Sequence, residues 1–221
     1  MTRSLSPAKR LPVTLLRWMI GDLNFTIVSN NCWGSHVYQA LDIPCRSPFA
    51  GMFIPPKSYL HLLKRFDTCI TAELEFANES ASPRINVWRE REALNYPIGL
   101  LEQNIELHFL HAADEKDART KWQEGCGRIV SDPSRRFFKF DDSWGATPEE
   151  VEEFCALPFA NKVCFTTARY SSSTVIVPAV AIDSGAHNAD GTLLADISRQ
   201  YFNALRWISS WPPAASLPSA F

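Results

Sequence analysis

Residues 25–41 read FTIVSNNCWGSHVYQAL and combine three patterns in sequence. The apolar run at 25–28 predicts a buried strand, the polar residues at 29–34 predict a turn, and the residues after Gly34 predict a helix. Strand, turn and helix in this order form the repeating unit of open α/β sheets, whose sites lie beyond the carboxyl ends of the strands. The turn contains two asparagines, a thiol and an indole, so we place the candidate site there.

The rest of the chain alternates between strand and helix patterns. We expect strands at 84–88, 105–111, 136–140, 162–167 and 174–182, a strand edge or turn at 96–99, and a strand or helix tail at 71–77. We expect helices at 12–20, 35–41, 114–128 and 191–207, and helices that start at Pro55 and after the capping box of Thr147 and Glu150. Because parallel strands need crossover helices, the pattern predicts an α/β fold with three αβα layers and a largely parallel or mixed sheet.

Length and composition favour one domain. The chain has 221 residues and is 46% hydrophobic, which suffices for one sizeable core. We assign residues 1–221 to a single domain with a core at about 22–210, a flexible N-terminal arm and a Pro-rich C-terminal tail. The formal net charge is -2 and both signs are interspersed, which argues against a nucleic-acid partner and against a polybasic membrane anchor.

Cysteine usage and the N-terminal sequence predict a cytoplasmic protein. Six cysteines are scattered without a Cys-x-x-Cys pair, as expected of reduced thiols. The apolar patch near the N-terminus is interrupted by Arg17, and no small-residue cleavage site follows it, so we expect no signal peptide. No run reaches the roughly 20 apolar residues of a membrane span.

Cys32 is the first candidate for catalysis. A thiol at a helix N-terminus is a potential nucleophile, because the free amides and the helix dipole stabilise its thiolate. His108 or His111 on the next central strand could act as its base, and Asp141 or Asp142 could orient that base. The plain alternative is that Cys32 packs the turn as a small buried residue.

A sugar or nucleotide site is the second candidate. Asn30 and Asn31 offer hydrogen bonds, the helix that begins after Gly34 could accept a phosphate, and aromatic faces could stack on a sugar or base. The aromatic candidates are Trp33, Trp122 and Trp144. The alternative is that the asparagines satisfy turn backbone and that the tryptophans belong to the core.

Metal and cofactor chemistry find little support. On a strand, His108 and His111 point to opposite faces, and the Asp141-Asp142 pair lacks the Asp-x-Asp spacing that directs two carboxylates the same way. The sequence has no dinucleotide fingerprint, phosphate loop or nucleophile elbow. We therefore predict no metal site and infer no cofactor.

Five blocks of the sequence occur in the order found in one bacterial family. They are FTIVSNNCWGSHVYQAL, SPFAGMFIPPKSYLHLL, YPIGLL, IELHFLHAADEKDARTKW and LPFANKVCFT. From about Phe25 to Thr167, the chain resembles the bacterial domain-of-unknown-function family 1919, whose members are often labelled exopolysaccharide or capsule biosynthesis proteins. The resemblance implies an α/β fold and an association with surface-polysaccharide gene clusters, and it implies no established reaction.

One segment departs from the family's pattern. After Trp122, relatives usually have paired arginines before Arg-Ile, whereas this chain has Gln123 to Gly127 before Arg128. If the paired arginines bind an anionic donor, this chain binds it differently or has lost the activity.

Three functions stay open, with a transferase as the leading hypothesis. It would move a glycosyl or similar group from an activated sugar donor in exopolysaccharide or capsule biosynthesis, with a sugar or sugar nucleotide as substrate and polysaccharide-assembly enzymes as possible partners. The alternatives are a hydrolase or acyltransferase with Cys32 as nucleophile, and a non-catalytic glycan-binding or assembly module. The candidate catalytic residues are His108, Asp141 and Cys32, and the candidate substrate-binding residues are Asn30, Asn31, Trp33, Ser47, His111, Trp122 and Arg128.

Overall fold

The structure is a computed structural model that describes residues 12–178 and 191–209. Its strands are β1 (Thr26–Ser29), β2 (Leu74–Ala77), β3 (Ile98–Leu101), β4 (Ile105–His108), β5 (Arg136–Asp141), β6 (Lys162–Thr166) and β7 (Val175–Ile176). Its helices are α1 (Val13–Ile20), α2 (Trp33–Ala40), α3 (Pro56–Lys64), α4 (Phe66–Cys69), α5 (Pro83–Arg91), α6 (Glu115–Gly127), α7 (Pro148–Ala156), α8 (Gly191–Ser198) and α9 (Ala204–Ile208). The predicted α/β class is confirmed.

The strands form two sheets. A parallel sheet has the order β1-β5-β6-β7, and an antiparallel sheet has the order β2-β3-β4. The prediction of a central strand bearing His108 was wrong, because β4 belongs to the antiparallel sheet, where it pairs with β3. Sequence periodicity identifies strands, but it does not say which strands pair.

The parallel sheet is buried on both faces. Alternate residues of β5 belong to different cores: Phe138 and Phe140 pack with α3 and α7, and Phe137 packs with α1, α2, α8 and α9. Apolar residues of the antiparallel sheet, such as Leu74 and Leu107, join the first of these cores. The resulting near-continuous apolar strands are typical of a parallel sheet covered by helices.

Several predicted elements have different bounds in the structure. The segment 84–88 lies in helix α5, because Pro83 follows Ser82 and starts a helix in its first turn. The predicted strand 105–111 ends at His108, where the amide of Leu110 turns back to the His108 carbonyl. The predicted helix 191–207 is two helices, and the second begins at the N-cap Asn203. The predicted strand 174–182 is short, and its last residues lie outside the described part of the chain.

Tyr59 of α3 fixes the helix to the two strands that carry the site. Its hydroxyl lies 2.8 Å from the Val28 carbonyl oxygen of β1 and 3.0 Å from the Lys139 carbonyl oxygen of β5. Its ring stacks on Phe140, with ring centroids 5.8 Å apart. Through residues 12–178 and 191–209, no helix has the length and apolar character that a membrane crossing requires.

Candidate functional site

The carboxyl ends of β1 and β5 lie side by side, because Ser29 of β1 pairs with Lys139 of β5. The register brings the turn after β1 next to the end of β5. The Lys139 side chain is 0% exposed, and its ammonium donates to Asn30 Oδ1 at 3.1 Å and to Asn31 Oδ1 at 2.8 Å. It also pairs with the Asp141 carboxylate. The turn predicted to carry the site thus encloses a buried cation.

Asp141 completes this cluster as its buried anion. Asn31 Nδ2 donates to Asp141 Oδ2 at 2.7 Å, and the backbone amide of Ser143 donates to Asp141 Oδ1 at 3.0 Å, next to the Ser143 hydroxyl. Burial lowers the pKa of Lys139, and the charge of Asp141 opposes that shift. We call Asn30, Asn31, Lys139 and Asp141 the lysine cluster.

Cys32 adjoins the lysine cluster and is half-buried, whereas all four members of the cluster are buried. Cys32 is the N-cap residue of α2, and its Sγ lies 3.9 Å from the Met52 carbonyl oxygen. A Cys32 thiolate would raise the pKa of Lys139, since the two charges attract. Cys32 is therefore a partly exposed residue close enough to the buried cation to interact with its charge.

Gly191 closes the N-terminus of α2. A Cβ at position 191 would lie 2.7 Å from the amide nitrogens of both Cys32 and Trp33. The Trp33 amide already donates to Asn31 Oδ1 at 3.2 Å. A phosphate at this helix terminus, one of the predictions, would have to displace Gly191, so the arrangement does not favour it.

Comparison with known proteins identifies the family. The sequence profile of the domain of unknown function DUF1919 matches residues 13–208. The chain belongs to the DUF1919 family. An uncharacterized protein of Haemophilus influenzae is 32% identical to it over 145 residues, which are 66% of this chain and 63% of that relative. The alignment thus spans less than two thirds of the relative's length. The DUF1919 match contains both sheets and the whole lysine cluster.

His108 of the DUF1919 domain has partners other than those predicted. It is buried, with Nε2 3.1 Å from Glu106 Oε2 and Nδ1 3.2 Å from the Tyr96 hydroxyl. Burial lowers the pKa of His108, so the neutral ring donates from Nε2 to the carboxylate and accepts from Tyr96 at Nδ1. Both ring nitrogens of His108 have hydrogen-bonding partners, Tyr96 and Glu106. Asp141 pairs with Lys139 and not with His108. The contacts of His108 and Asp141 therefore do not build the predicted cysteine, histidine and aspartate arrangement.

His111 follows the end of β4 and is exposed. Its carbonyl oxygen accepts a hydrogen bond from the Lys121 ammonium at 2.7 Å, and its ring lies against Gly51. The prediction of two histidines on opposite faces of one strand was wrong, because the strand ends at His108.

Three of the predicted binding residues lie in structural roles, and a fourth is exposed. Trp33 is buried, and its indole donates to Ser198 Oγ at 2.9 Å. Trp122 is buried against Phe49. The Ser47 hydroxyl donates to the Ile27 carbonyl at 2.6 Å, and Arg128 is exposed at the end of α6, 3.7 Å from Glu124. The tryptophans and Ser47 thus support the core.

The sequence interpretation missed Lys139, the centre of the cluster. One signal was present: a single cation stands between Phe138 and Phe140 in an apolar strand that ends in two aspartates. A buried lysine needs an anionic or hydrogen-bonding partner, so a lysine at such a position indicates a buried polar cluster. Among the described residues, no group of three or more histidines, cysteines, aspartates or glutamates could hold a metal ion.

Proposed function

We propose that this DUF1919 protein is a group transferase of surface-polysaccharide assembly that carries an acyl group on Cys32. One observation carries the proposal: Cys32, a half-buried residue, occupies the N-cap position of α2 directly after Asn31, whose side chain accepts a hydrogen bond from the buried ammonium of Lys139. A helix N-terminus and a neighbouring cation both stabilise a thiolate, which is the nucleophilic form of cysteine. The polysaccharide context rests on the resemblance of the sequence blocks, with a small sugar as substrate and polysaccharide-assembly enzymes as partners.

The positions of the other candidates favour a covalent route over direct glycosyl transfer. The residues expected to hold a sugar donor, Asn30 and Asn31, are buried and bonded to Lys139. The residues expected to act as a general base, His108 and Asp141, are buried with their polar atoms engaged. Cys32 has the exposure that a group needs to reach a substrate in the observed conformation.

The chemistry has two steps. The Cys32 sulfur attacks the carbonyl carbon of an activated ester or thioester; the new carbon–sulfur bond forms, the bond to the leaving group breaks, and the leaving group takes up the thiol proton. A sugar hydroxyl then attacks the Cys32 thioester. A carbon–oxygen bond forms, the carbon–sulfur bond breaks, and the hydroxyl proton returns to the sulfur. Lys139 stabilises the thiolate in both steps, while Asn31 and Asp141 hold Lys139 in place.

The free cysteines fit a cytoplasmic location, which we also propose. All six cysteines lie among the described residues, and none forms a disulfide. A reducing compartment keeps Cys32 available as a nucleophile.

The test compares transfer of acetyl groups by the native chain, Cys32→Ala and Cys126→Ala, with p-nitrophenyl acetate as donor and a disaccharide as acceptor. We expect Cys32→Ala to lose the activity and Cys126→Ala to keep it, because Cys126 lies on α6. Full turnover by Cys32→Ala would exclude the proposal. A thermal-shift screen with sugar nucleotides tests the glycosyl route: strong stabilisation by one donor would favour that route instead.

A further inference from the structure

Two half-buried tryptophans, Trp88 and Trp144, pack against each other beyond the end of β5. Trp88 lies on α5, and Trp144 follows the end of β5 by three residues. Their ring centroids are 4.6 Å apart and their planes are inclined by 67°. Neither ring is buried, so this edge-to-face pair presents indole surface to solvent. Trp33 and Trp122, by contrast, are buried in the core.

The backbone at Trp144 adopts a conformation that L-residues rarely take. Its φ is +62°, and the next residue, Gly145, has a φ of +83°. A bulky residue in the left-handed region is strained, and such residues concentrate at functional sites. A Cβ at position 145 would lie 2.8 Å from a terminal nitrogen of Arg84, one turn before Trp88 on α5. The turn therefore sets the indole of Trp144 directly against α5.

Phe53 connects this aromatic pair to the thiol of Cys32. The ring centroids of Phe53 and Trp144 are 4.6 Å apart. The carbonyl oxygen of the preceding residue, Met52, lies 3.9 Å from Cys32 Sγ. The indole pair and the thiol are thus connected through two consecutive residues, Met52 and Phe53.

A buried carboxylate holds α5 in position. Glu106 accepts hydrogen bonds from the Ser80 hydroxyl and the Ala81 amide, both at 2.6 Å, and it contacts His108 at 3.1 Å. Burial opposes the charge, but these hydrogen bonds together lower the pKa of Glu106. The carboxylate therefore stays ionised and anchors the loop before α5. The helix that carries Trp88 is fixed before any ligand arrives.

We infer that Trp88 and Trp144 form the acceptor subsite and stack on a pyranose ring of the carbohydrate. Carbohydrate rings present flat C–H faces, which pack on indole rings, and hydroxyl groups at their edges. Arg84 is exposed at the rim and supplies donors for a hydroxyl or carboxylate of the sugar. The acceptor role rests on the proposed function, since it assumes that a group leaves Cys32 for a sugar.

The test measures binding of cellobiose, N,N′-diacetylchitobiose and a hexuronic acid disaccharide by calorimetry and by saturation transfer from protein to sugar protons. The variants are Trp88→Ala and Trp144→Ala, with Trp18→Ala as the matched control, because Trp18 lies on α1 and is 66% exposed. We expect at least one disaccharide to bind the native chain and Trp18→Ala equally. We expect Trp88→Ala and Trp144→Ala to weaken that binding about tenfold, because each variant removes one of the two stacking faces.

Three results would overturn the inference. The first is that none of the disaccharides binds the native chain, and the second is that Trp88→Ala binds them as the native chain does. The third is preferential binding of uridine monophosphate, which would make the subsite a nucleobase site. Because Trp144→Ala changes a strained turn, its melting temperature is measured, and Trp88→Ala decides if Trp144→Ala does not fold. Acetylation of Cys32 in the native chain is measured separately, so failure of the subsite and failure of the proposed function give different results.

Discussion

The ammonium of Lys139 donates a hydrogen bond to Asn31 Oδ1 at 2.8 Å, although 108 residues separate them in sequence. The side-chain amide of Asn31 also donates a hydrogen bond from Nδ2 to Asp141 at 2.7 Å. Its Oδ1 accepts a second hydrogen bond, from the backbone amide of Trp33, at 3.2 Å. One asparagine side chain therefore joins the buried ion pair to the first turn of α2. Since Cys32 caps that turn, the position of its thiol depends on the ion pair.

Removal of the cation should destabilise the fold strongly. Lys139→Met leaves the Asp141 carboxylate buried without its counter-ion, and we expect the free energy of unfolding to fall by about 3–5 kcal/mol. The double variant Lys139→Met with Asp141→Leu removes both charges, so it should recover part of that loss. Urea denaturation of the two single variants and the double variant measures the coupling. Losses that simply add in the double variant would contradict the pairing.

Two glycines of α6 should respond oppositely to alanine. At Gly125, a Cβ would lie 2.5 Å from Pro48 Cα, so Gly125→Ala should cost about 1–3 kcal/mol through overpacking. At Gly127, a Cβ would meet nothing within 4 Å, so Gly127→Ala should leave stability unchanged or raise it by up to about 1 kcal/mol. Thermal denaturation of the matched pair measures both effects. Equal losses in the two variants would be inconsistent with this packing of α6.

Acid should destabilise the fold through His108. Burial lowers its pKa below the ordinary 6.5, and the charge of Arg89 acts in the same direction, while Glu106 opposes it. Below pH 6.5 the unfolded chain therefore binds more protons than the folded chain, so stability falls as the pH drops from 6.5 toward the folded pKa. Glu106 adds a further loss below its ordinary 4.5, because its folded pKa is also lowered.

Urea midpoints between about pH 7.5 and about pH 5 measure this loss. His108→Gln should show a flatter pH dependence over this range. His111→Gln is the matched control, because His111 is exposed, and it should keep the dependence of the native chain. A native chain with constant midpoints would show that His108 does not titrate as the geometry requires.

The cysteines should differ in alkylation rate. A hydrogen bond with the Cys164 thiol lowers the pKa of Cys155 to about 7, whereas burial raises the pKa of Cys45 to about 11 and that of Cys126 to about 12. At pH 7, the Cys155 thiol is therefore ionised to a much greater extent than the thiols of Cys45 and Cys126. Peptide mass spectrometry after a short exposure to iodoacetamide should find Cys155 modified well before Cys45 and Cys126. Earlier modification of Cys45 or Cys126 would reverse the expected order.

Local signals in the sequence predicted much of the fold. The capping box of α7 forms as expected: the Glu150 amide donates to Thr147 Oγ1 at 3.2 Å, and Glu150 Oε2 accepts the Thr147 amide at 2.8 Å. This motif depends on residues three apart, so sequence spacing suffices to find it. The strand predicted from the apolar run at 25–28 and the helix predicted at 114–128 also follow from local patterns, and both occur close to the predicted bounds.

The composition of the candidate site depends on strand pairing, which periodicity does not encode. Asn31 and Lys139 meet because β1 and β5 are neighbours, although the five helices α2 to α6 and the three strands of the second sheet lie between them in sequence. Trp33 was expected at a substrate, but the amphipathic pattern of α2 turns it with Val37 toward the core. The pairing of β1 with β5 thus brings the residues of the lysine cluster together. The orientation of α2 buries Trp33 and so removes it from the candidate substrate-binding residues.

The central claim is that the Cys32 thiol beside Lys139 carries the transferred group. The most direct measurement is peptide mass spectrometry of the native chain after acid quenching of a reaction with p-nitrophenyl acetate, with and without a disaccharide acceptor. The account predicts one acetyl group on Cys32, formed without acceptor and depleted when acceptor is present. Acetyl groups on other residues while Cys32 stays unmodified would contradict it.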